Sequence, residues 1–421
     1  MKNDTRQLSA LHDLSKSIVG VSKMEDVCKQ ILAKTAETLK VNKASIMKLD
    51  PNRKTLKIVA ALGLPRGVSE NACVKIGEGI SGRVFKLKKP MLIKDVRALG
   101  MMPKKRYSTF SLMSAPVTCF PMKVGKNPIG VINVTDRKGG RPFSKEDLNL
   151  LTTIANQTAA YLHICDLAES ARESEHIRQE LELAKTIQER LLPRRAPRFE
   201  GFQVAGFCMT AEKVGGDYFD FIEAQGIPPS AVVADVAGHS VSAAMMMSAF
   251  RSALKSGWGL SMFSPGLVAE RMNAQLFEDL SAAEQFISMV YLQVLSSGDQ
   301  SKTTVKYTTA GHYPPLILHG SSFTSHSTMD VLLGVERFAD YHEKKVDIYP
   351  EDLILLYTDG LVDAKNELDQ KFGVERVKEF LKKNRDKDSE RIAEDLCLAV
   401  KKFTGRRKLS DDVTVVVLKK E

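Results

Sequence analysis

Cysteine is scarce in this chain of 421 residues, and none of its six cysteines stands close to another. No Cys-x-x-Cys pair occurs, so the pattern indicates neither a zinc site nor a disulfide framework. Isolated cysteines suit a reducing compartment. The six are Cys28, Cys73, Cys119, Cys165, Cys208 and Cys397.

Long apolar runs are also lacking. No uncharged apolar stretch is long enough to cross a bilayer, which takes about 20 residues as a helix. The N-terminal segment 1–7 is polar and has no apolar region of the kind found in a signal peptide. We therefore expect a cytoplasmic protein without a membrane partner.

The charge is positive but not concentrated in one place. The net value of +10 comes from 61 basic and 51 acidic residues, and basic clusters lie far apart at 104–106, 194–195 and 406–408. A nucleic-acid-binding protein more often places such clusters on one helix or beside stacking aromatic residues. We expect no nucleic-acid partner. The charge is an ordinary solvated surface or a weak field that steers an acidic protein.

The first 165 residues have the pattern of helices around a set of strands. Apolar residues at helical spacing predict helix over 5–40, in two pieces that meet near Gly20. Ser144 followed by Asp147 resembles a capping box at the start of another helix. This order is typical of an α+β sensor domain. The predicted strands are 44–49, 55–60, 92–95, 114–121 and 129–133.

The amino-acid sequences of three segments in this half resemble those of GAF domains. The resemblance covers 1–165 and implies a GAF sensor fold. It does not favour a cyclic-nucleotide ligand, because Val134 stands where binding members have lysine and the acidic pair Glu146-Asp147 is reversed. The ligand of the domain stays open. The segments are Gly-Glu-Gly-Ile-Ser-Gly-Arg-Val (77–84), Lys-Pro-Met-Leu-Ile-Lys-Asp-Val (89–96) and Pro-Ile-Gly-Val-Ile-Asn-Val-Thr-Asp (128–136).

A long helix is predicted between the two halves. Glycine and proline are absent from 144–192, and Pro193 then ends the helix. Near the end of this helix, the candidate seam residues are separated alternately by four and three positions, as in a heptad repeat. We assign 166–195 as a helical linker and expect a homodimer contact there. The alternative is a single helix packed on its own domains. The seam positions are Ile177, Leu181, Ala184, Gln188 and Leu191.

In the C-terminal half, aspartates recur where apolar strands run out or turns begin, in segments 214–220, 232–239, 355–360 and 410–415. A lone aspartate at such a place is most often a turn or cap residue. Several at one sheet rim repel one another unless a cation lies between them. Oxygen ligands suit Mg²⁺ or Mn²⁺, and a pair of such ions activates water for hydrolysis of a phosphoester.

Five ordered motifs make this half resemble the bacterial, SpoIIE-type branch of the PPM (PP2C-like) protein phosphatases. The resemblance covers 196–421 and implies an α-β-β-α sandwich of two antiparallel sheets with helices outside. The motifs are Gly-Gly-Asp-Tyr-Phe-Asp (215–220), Asp-Val-Ala-Gly-His (235–239), Thr-Ala-Gly-His-Tyr-Pro-Pro (309–315), Tyr-Thr-Asp-Gly (357–360) and Asp-Asp-Val-Thr (411–414).

The resemblance also implies a site for two ions, either Mn²⁺ or Mg²⁺. Asp217 and Asp235 match the catalytic ligands near a bridging water. The carbonyl of Val236 matches a backbone ligand of the family. Asp359 and Asp411 match the ligands of the second side of the metal centre.

Some residues near these motifs have open or lesser roles. The sequence does not decide between Asp411 and Asp412, since either can be the ligand and the other the strand cap. Asp220 is predicted to be structural. His239 could donate a proton as a general acid, but it lies two residues later than the histidine of the eukaryotic motif, so that role does not carry over to it. His312 is predicted to be a hydrogen-bonded turn residue.

The combined prediction is a GAF sensor that controls a metal-dependent phosphoserine/phosphothreonine protein phosphatase. The resemblance implies a phosphorylated STAS-domain protein as substrate, an anti-anti-sigma factor in bacterial partner switching. The eukaryotic branch has a phosphate-binding arginine before its first aspartate, but here only Lys213 stands near Asp217. The alternative prediction is a sensor-scaffold that binds a phosphoprotein with weak or no turnover.

Overall fold

The computed structural model divides the chain into two compact units, Met1–His176 and Ile177–Glu421, which are taken in turn. None of the described helices has both the length and the apolar character needed to span a bilayer. The first piece of the helix predicted over 5–40 lies outside the described residues. Those residues are 23–50, 54–65, 72–95, 111–118, 128–224, 226–238, 241–256, 264–295 and 301–421.

A six-stranded sheet forms the centre of the N-terminal unit. Its elements in chain order are α1 (Met24–Leu39), β1 (Val41–Asp50), β2 (Thr55–Leu62), β3 (Cys73–Lys75), α2 (Gly79–Leu87), β4 (Met91–Ile93), β5 (Leu112–Thr118), β6 (Pro128–Arg137) and α3 (Lys145–Glu189). The strands pair antiparallel in the order β3-β2-β1-β6-β5-β4. This is the mixed helix-and-strand sensor fold that the sequence predicts.

Helices α1 and α3 pack with the sheet in one hydrophobic core. Val27 and Ile31 of α1 and Leu151 of α3 are buried there, at the spacing of one helical face. The start of α3 is a reciprocal capping box. The Asp147 N–H donates to Ser144 Oγ at 3.2 Å, and the Ser144 N–H donates to Asp147 Oδ2 at 2.9 Å.

Helix α3 is continuous over 45 residues, as the absence of glycine and proline predicts. Every residue from 171 to 180 is exposed to solvent. The predicted seam does not form one exposed stripe. Ile177 is 57% exposed, whereas Gln188 at the other end is buried. The last turn of the seam therefore packs on the chain's own C-terminal unit.

Two five-stranded sheets form the C-terminal unit. Its elements after α3 are β7 (Phe202–Met209), β8 (Asp217–Ala224), β9 (Ile227–Val236), α4 (Val241–Ser256), α5 (Pro265–Ala283), β10 (Ile287–Leu295), β11 (Thr303–Ala310), β12 (Leu316–His319), β13 (Ser322–Thr324), β14 (Lys344–Ile348), β15 (Leu353–Tyr357), α6 (Asp359–Asp363), α7 (Gly373–Asn384), α8 (Ser389–Thr404) and β16 (Val413–Lys420). One sheet has the order β14-β11-β10-β9-β8, and the other β13-β12-β15-β16-β7.

The two sheets pack face to face, with helices on their outer sides. Phe219 and Val290 of the first sheet share a core with Ile354 and Val416 of the second. Helices α4 and α5 cover the outer side of the first sheet, and α7 and α8 cover that of the second. This is the predicted α-β-β-α sandwich, and it brings the ends of β8, β9, β15 and β16 to one edge.

Candidate active site

Asp217 and Asp235 face each other across two neighbouring strands. Asp217 is the first residue of β8, and it pairs in register with Asp235, which lies one residue before the end of β9. Residues opposed in an antiparallel pair project from the same face with Cβ atoms about 4.5–5.5 Å apart, so like charges there repel. Strand register alone therefore holds these two carboxylates side by side at the sheet edge.

Thr358 connects this edge to the second sheet. Its hydroxyl donates to Asp217 Oδ2 at 2.8 Å and accepts the Thr414 N–H at 3.0 Å. Thr358 is fully buried between the end of β15 and the start of α6. Asp359 follows it as the first residue of α6, so both sheets contribute carboxylates to the same edge.

The two aspartates before β16 have different surroundings. The Asp412 carboxylate is buried and accepts backbone N–H groups, from Ala211 at 2.7 Å and from Gly216 at 2.9 Å. These bonds join the loop before β8 to the start of β16. Asp411 is half-buried, and its Oδ1 accepts the N–H of Asp412 at 2.9 Å. Asp412 is thus committed to the backbone, whereas Asp411 keeps an oxygen available for a ligand.

Two glycines allow this close packing around Asp412. A Cβ added at Gly215 would lie 2.0 Å from Asp412 Oδ2, and one at Gly360 would lie 1.9 Å from the Asp412 carbonyl oxygen. Neither distance is sterically possible, so any side chain at these positions would push Asp412 away from the edge.

The carboxylates at this edge interact unfavourably with one another. Burial, and then the charges of Asp359 and Asp411, raise the pKa of Asp235 to about 8. Burial, and then the charge of Asp235, raise the pKa of Asp217 well above its usual range, and the hydroxyls of Thr358 and Thr414 only partly offset this. Burial and the charge of Asp411 also raise the pKa of Asp359. A cation between these groups would remove the repulsion.

The donors at this edge are carboxylate oxygens. Within the described residues, no three Asp, Glu, His or Cys side chains converge closely enough to hold an ion as they stand. Four carboxylates nonetheless lie close enough to repel one another: those of Asp217, Asp235, Asp359 and Asp411. Oxygen donors of this kind fit a hard divalent cation, and Asp235, Asp359 and Asp411 are each only half-buried. The residues therefore fit Mg²⁺ or Mn²⁺ in chemistry and charge.

Val236 ends β9 beside this edge. Its N–H donates to the Gly216 carbonyl at 3.4 Å, and its own carbonyl oxygen would lie 2.6 Å from a Cβ at Gly216. The glycine therefore leaves the Val236 carbonyl uncovered on that side.

A glutamine of α3 holds the loop that precedes Asp217. Gln188 Nε2 donates to the Gly215 carbonyl at 2.6 Å, and Gln188 Oε1 accepts the Gly215 N–H at 3.0 Å. In the same helix, Glu182 accepts a hydrogen bond from Lys213. The sequence assigned Gln188 to a seam and missed this role. The only signal was a polar residue at an otherwise apolar seam position.

His312 is a buried structural histidine in the loop before β12. Its ring nitrogens bond to the Ser288 hydroxyl at 2.6 Å and to the Tyr357 carbonyl oxygen at 3.0 Å. Burial lowers the pKa of His312 to about 4, so the neutral ring donates to Tyr357 and accepts from Ser288. This anchors the 309–315 motif to the end of β15, next to Asp359.

The remaining candidates lie apart from the carboxylate edge or cannot be placed. Asp220 is buried, accepts a hydrogen bond from the Tyr218 hydroxyl and forms an ion pair with Lys255 at 3.0 Å. Lys213 pairs with Glu182 rather than with an acidic residue of the edge. His239, weighed as a general acid, lies outside the described residues.

Both halves of the chain match known family models. Residues 22–163 match the GAF domain, and residues 230–421 match Stage II sporulation protein E (SpoIIE). These are the two families that the sequence motifs resemble, in the same order.

Individual relatives agree with these matches. The phosphoserine phosphatase RsbU of Bacillus subtilis is 26% identical over 46% of this chain and 56% of its own length. The protein IcfG of Synechocystis is 26% identical over 49% of this chain and 36% of its own length. The chain thus spans about half or less of these relatives. The solved PP2C domain of SiaA from Pseudomonas aeruginosa has a TM-score of 0.52 at 21% identity, covering 60% of this chain and 100% of that domain, which supports the fold.

Proposed function

We propose that this chain, which carries a GAF domain followed by a SpoIIE-family domain of the PPM class, is a metal-dependent phosphoserine/phosphothreonine protein phosphatase. The observation that carries the proposal is the in-register pair Asp217–Asp235, joined at one edge by Asp359 and Asp411. Phosphate release from a phosphoserine protein in Mn²⁺, abolished by a chelator, would test it.

Each residue of the edge has a distinct proposed role. Two ions, Mn²⁺ or Mg²⁺, would supply an activated water and neutralise the phosphoryl oxygens. Asp217 and Asp235 would hold them on the side of β8 and β9, together with the Val236 carbonyl. Asp359 and Asp411 would hold them on the side of β15 and β16. We assign Asp411 rather than Asp412, because Asp412 already accepts backbone hydrogen bonds from Ala211 and Gly216.

The proposed substrate is a phosphorylated protein, and more narrowly a STAS-domain protein of the anti-anti-sigma class. The similarity to a relative named as a phosphoserine phosphatase supports the first part. The second part rests on the resemblance to the SpoIIE-type branch. A phosphorylated STAS protein that releases phosphate faster than an unrelated phosphoserine protein would support it.

We further propose that α3 transmits the state of the sensor to the site. Gln188 forms two hydrogen bonds with the backbone of Gly215, which lies two residues before Asp217. A shift of α3 would therefore move the loop that positions the Asp217 carboxylate. A helix with two packings would thereby complete or disrupt the metal site. Ala184→Pro should break the helix before Gln188 and uncouple activity from the GAF domain. Unchanged activity with unchanged dimerisation in this variant would refute the idea.

A homodimer through α3 is also proposed. Ile164, Leu167 and Ile177 are each more than half exposed on the helix, which a second copy could cover. Mass measurement in solution, with Ile177→Lys as the test variant, would decide between dimer and monomer.

The scaffold remains the second candidate function. It is favoured by one observation, that Lys213 pairs with Glu182 and the edge has no arginine in the position of the eukaryotic branch. Binding of a phosphoprotein without metal and without phosphate release would support the scaffold over the enzyme.

A further inference from the structure

An exposed apolar surface lies beside the Asp235 end of β9. It consists of Val241, Met245, Phe286 and Val335, which are 48%, 70%, 44% and 54% exposed. Val241 and Met245 are four residues apart on α4, so they share one face of the helix. We call these four residues the edge surface.

Hydrogen bonds fix the edge surface to the strand that carries Asp235. The N–H of Ala237, two residues after Asp235, donates to the Phe286 carbonyl at 2.9 Å. Gln285 Nε2 donates to the Ala237 carbonyl at 3.3 Å, and the Ser242 hydroxyl donates to Gln285 Oε1 at 3.3 Å. The start of α4 and the residues before β10 are therefore continuous with the catalytic edge.

Val335 reaches the edge surface on a separate loop. The neighbouring Leu333 exchanges two backbone hydrogen bonds with Ile287, of 3.1 and 2.9 Å. A Cβ at Gly334 would lie 3.3 Å from the Gln285 carbonyl oxygen, which places this loop against the residues before β10. Val335 follows directly in this loop, and its apolar side chain is exposed.

Two acidic residues flank the edge surface. Glu284 and Glu336, adjacent in sequence to Gln285 and Val335, are exposed. The nearby cation Arg337 already forms an ion pair with Glu278 at 2.7 Å. A partner that covers this surface would gain from basic side chains opposite Glu284 and Glu336.

We propose that the edge surface is the docking site for the phosphorylated protein substrate, which presents an apolar side chain and basic residues next to its phosphoserine. This inference rests on the proposed function. The backbone of Phe286 is hydrogen-bonded to Ala237, two residues after Asp235, so the chain neighbours of a phosphoserine held at Asp235 can contact this surface. Covering such side chains removes apolar area from water, which favours binding. The surface thus selects the protein around the phosphate, while the carboxylate edge acts on the phosphate.

The test uses two peptides that carry a non-hydrolysable phosphonate analogue of phosphoserine. One peptide has leucine and arginine flanks, and the other has alanine and glutamate flanks. Binding of both to the full chain in Mn²⁺ is measured by fluorescence anisotropy. The double variant Met245→Gln/Val335→Gln is compared with wild type. The matched control is Leu398→Gln. Leu398 is 60% exposed and lies on α8, the helix that covers the second sheet.

We expect the leucine–arginine peptide to bind at least tenfold more tightly than the other. The double variant should lose at least fivefold of that affinity, and Leu398→Gln should lose less than twofold. Equal affinities for the two peptides, no detectable binding, or an unaffected double variant would overturn the docking site. So would self-association of wild type that the double variant abolishes, because a second copy would then occupy the surface.

Turnover of the matching phosphoserine peptide, followed in parallel, reports on the phosphatase itself. Binding without release would keep the docking site and remove the enzyme.

Discussion

The side-chain amide of Gln188 bonds to both backbone groups of Gly215, 27 residues further along the chain. Gln188 is buried, and Gly215 stands two residues before Asp217. The last turn of a 45-residue helix is therefore attached to the loop that sets the position of a candidate metal ligand. A movement of α3 can therefore reach the site through Gln188 alone.

Gln188→Leu should impair the site through this loop. The leucine fills similar volume but leaves the N–H and carbonyl of Gly215 without their partners, which costs about 1–3 kcal/mol. We expect at least a tenfold loss of Mn²⁺-dependent phosphate release. Gln179→Leu, an exposed glutamine of the same helix, is the control and should retain more than half the activity. Equal activities of the two variants would show that the Gln188 contact does not position the site.

Asp411 and Asp412 should respond differently to substitution. Asp411→Asn should weaken Mn²⁺ binding at least tenfold without lowering the stability of the metal-free protein, because it removes one of several repelling charges. Asp412→Asn should lower the free energy of unfolding by about 1–3 kcal/mol, because the buried N–H groups of Ala211 and Gly216 lose a charged acceptor.

Calorimetric titration with Mn²⁺ and urea unfolding separate these two effects. If Asp412→Asn leaves stability intact and abolishes metal binding, the assignment of the two aspartates is reversed.

His312 should make the fold less stable as pH falls. Its folded pKa of about 4 lies below its ordinary value of 6.5, so the unfolded chain binds the proton first. Stability from this group is complete above pH 6.5, declines as pH falls to about 4 and is constant below that. The shift corresponds to about 3 kcal/mol.

The matched variant is His312→Gln, which keeps a hydrogen-bonding side chain but does not titrate. Urea unfolding of both proteins between pH 7.5 and 4.5 isolates the contribution of this residue. The difference in unfolding free energy between wild type and variant should shrink or reverse toward pH 4.5. A difference independent of pH would mean that the pKa of His312 is the same in the folded and unfolded chains, which would contradict the lowered pKa.

The sequence predicted much of the fold because its signals are local. The capping box of Ser144 and Asp147, the long helix without glycine or proline, and the apolar strands before Asp235 and Asp359 depend on neighbours in the chain. The family motifs supplied the sandwich and the candidate carboxylates Asp217, Asp235 and Asp359, with Asp411 or Asp412 as the fourth.

Contacts between distant segments could not be predicted in this way. The Gln188–Gly215 bonds were missed, because a polar residue in a seam has the same spacing whether it faces a second helix or its own domain. The choice between Asp411 and Asp412 was also beyond the sequence. Adjacent residues of an extended chain point to opposite sides, and only the position of the Gly216 loop shows which side is occupied.

The central claim is that the carboxylate edge hydrolyses a phosphoserine ester with bound metal. The most direct test is phosphate release from a phosphoserine protein in Mn²⁺ by wild type and by Asp235→Asn. The control is Asp347→Asn on β14, the outermost strand of the first sheet on the side opposite β8. We predict release by wild type and by Asp347→Asn, abolished by chelator, and at least a hundredfold less release by Asp235→Asn. Equal release by Asp235→Asn, or release that persists in chelator, would contradict the account.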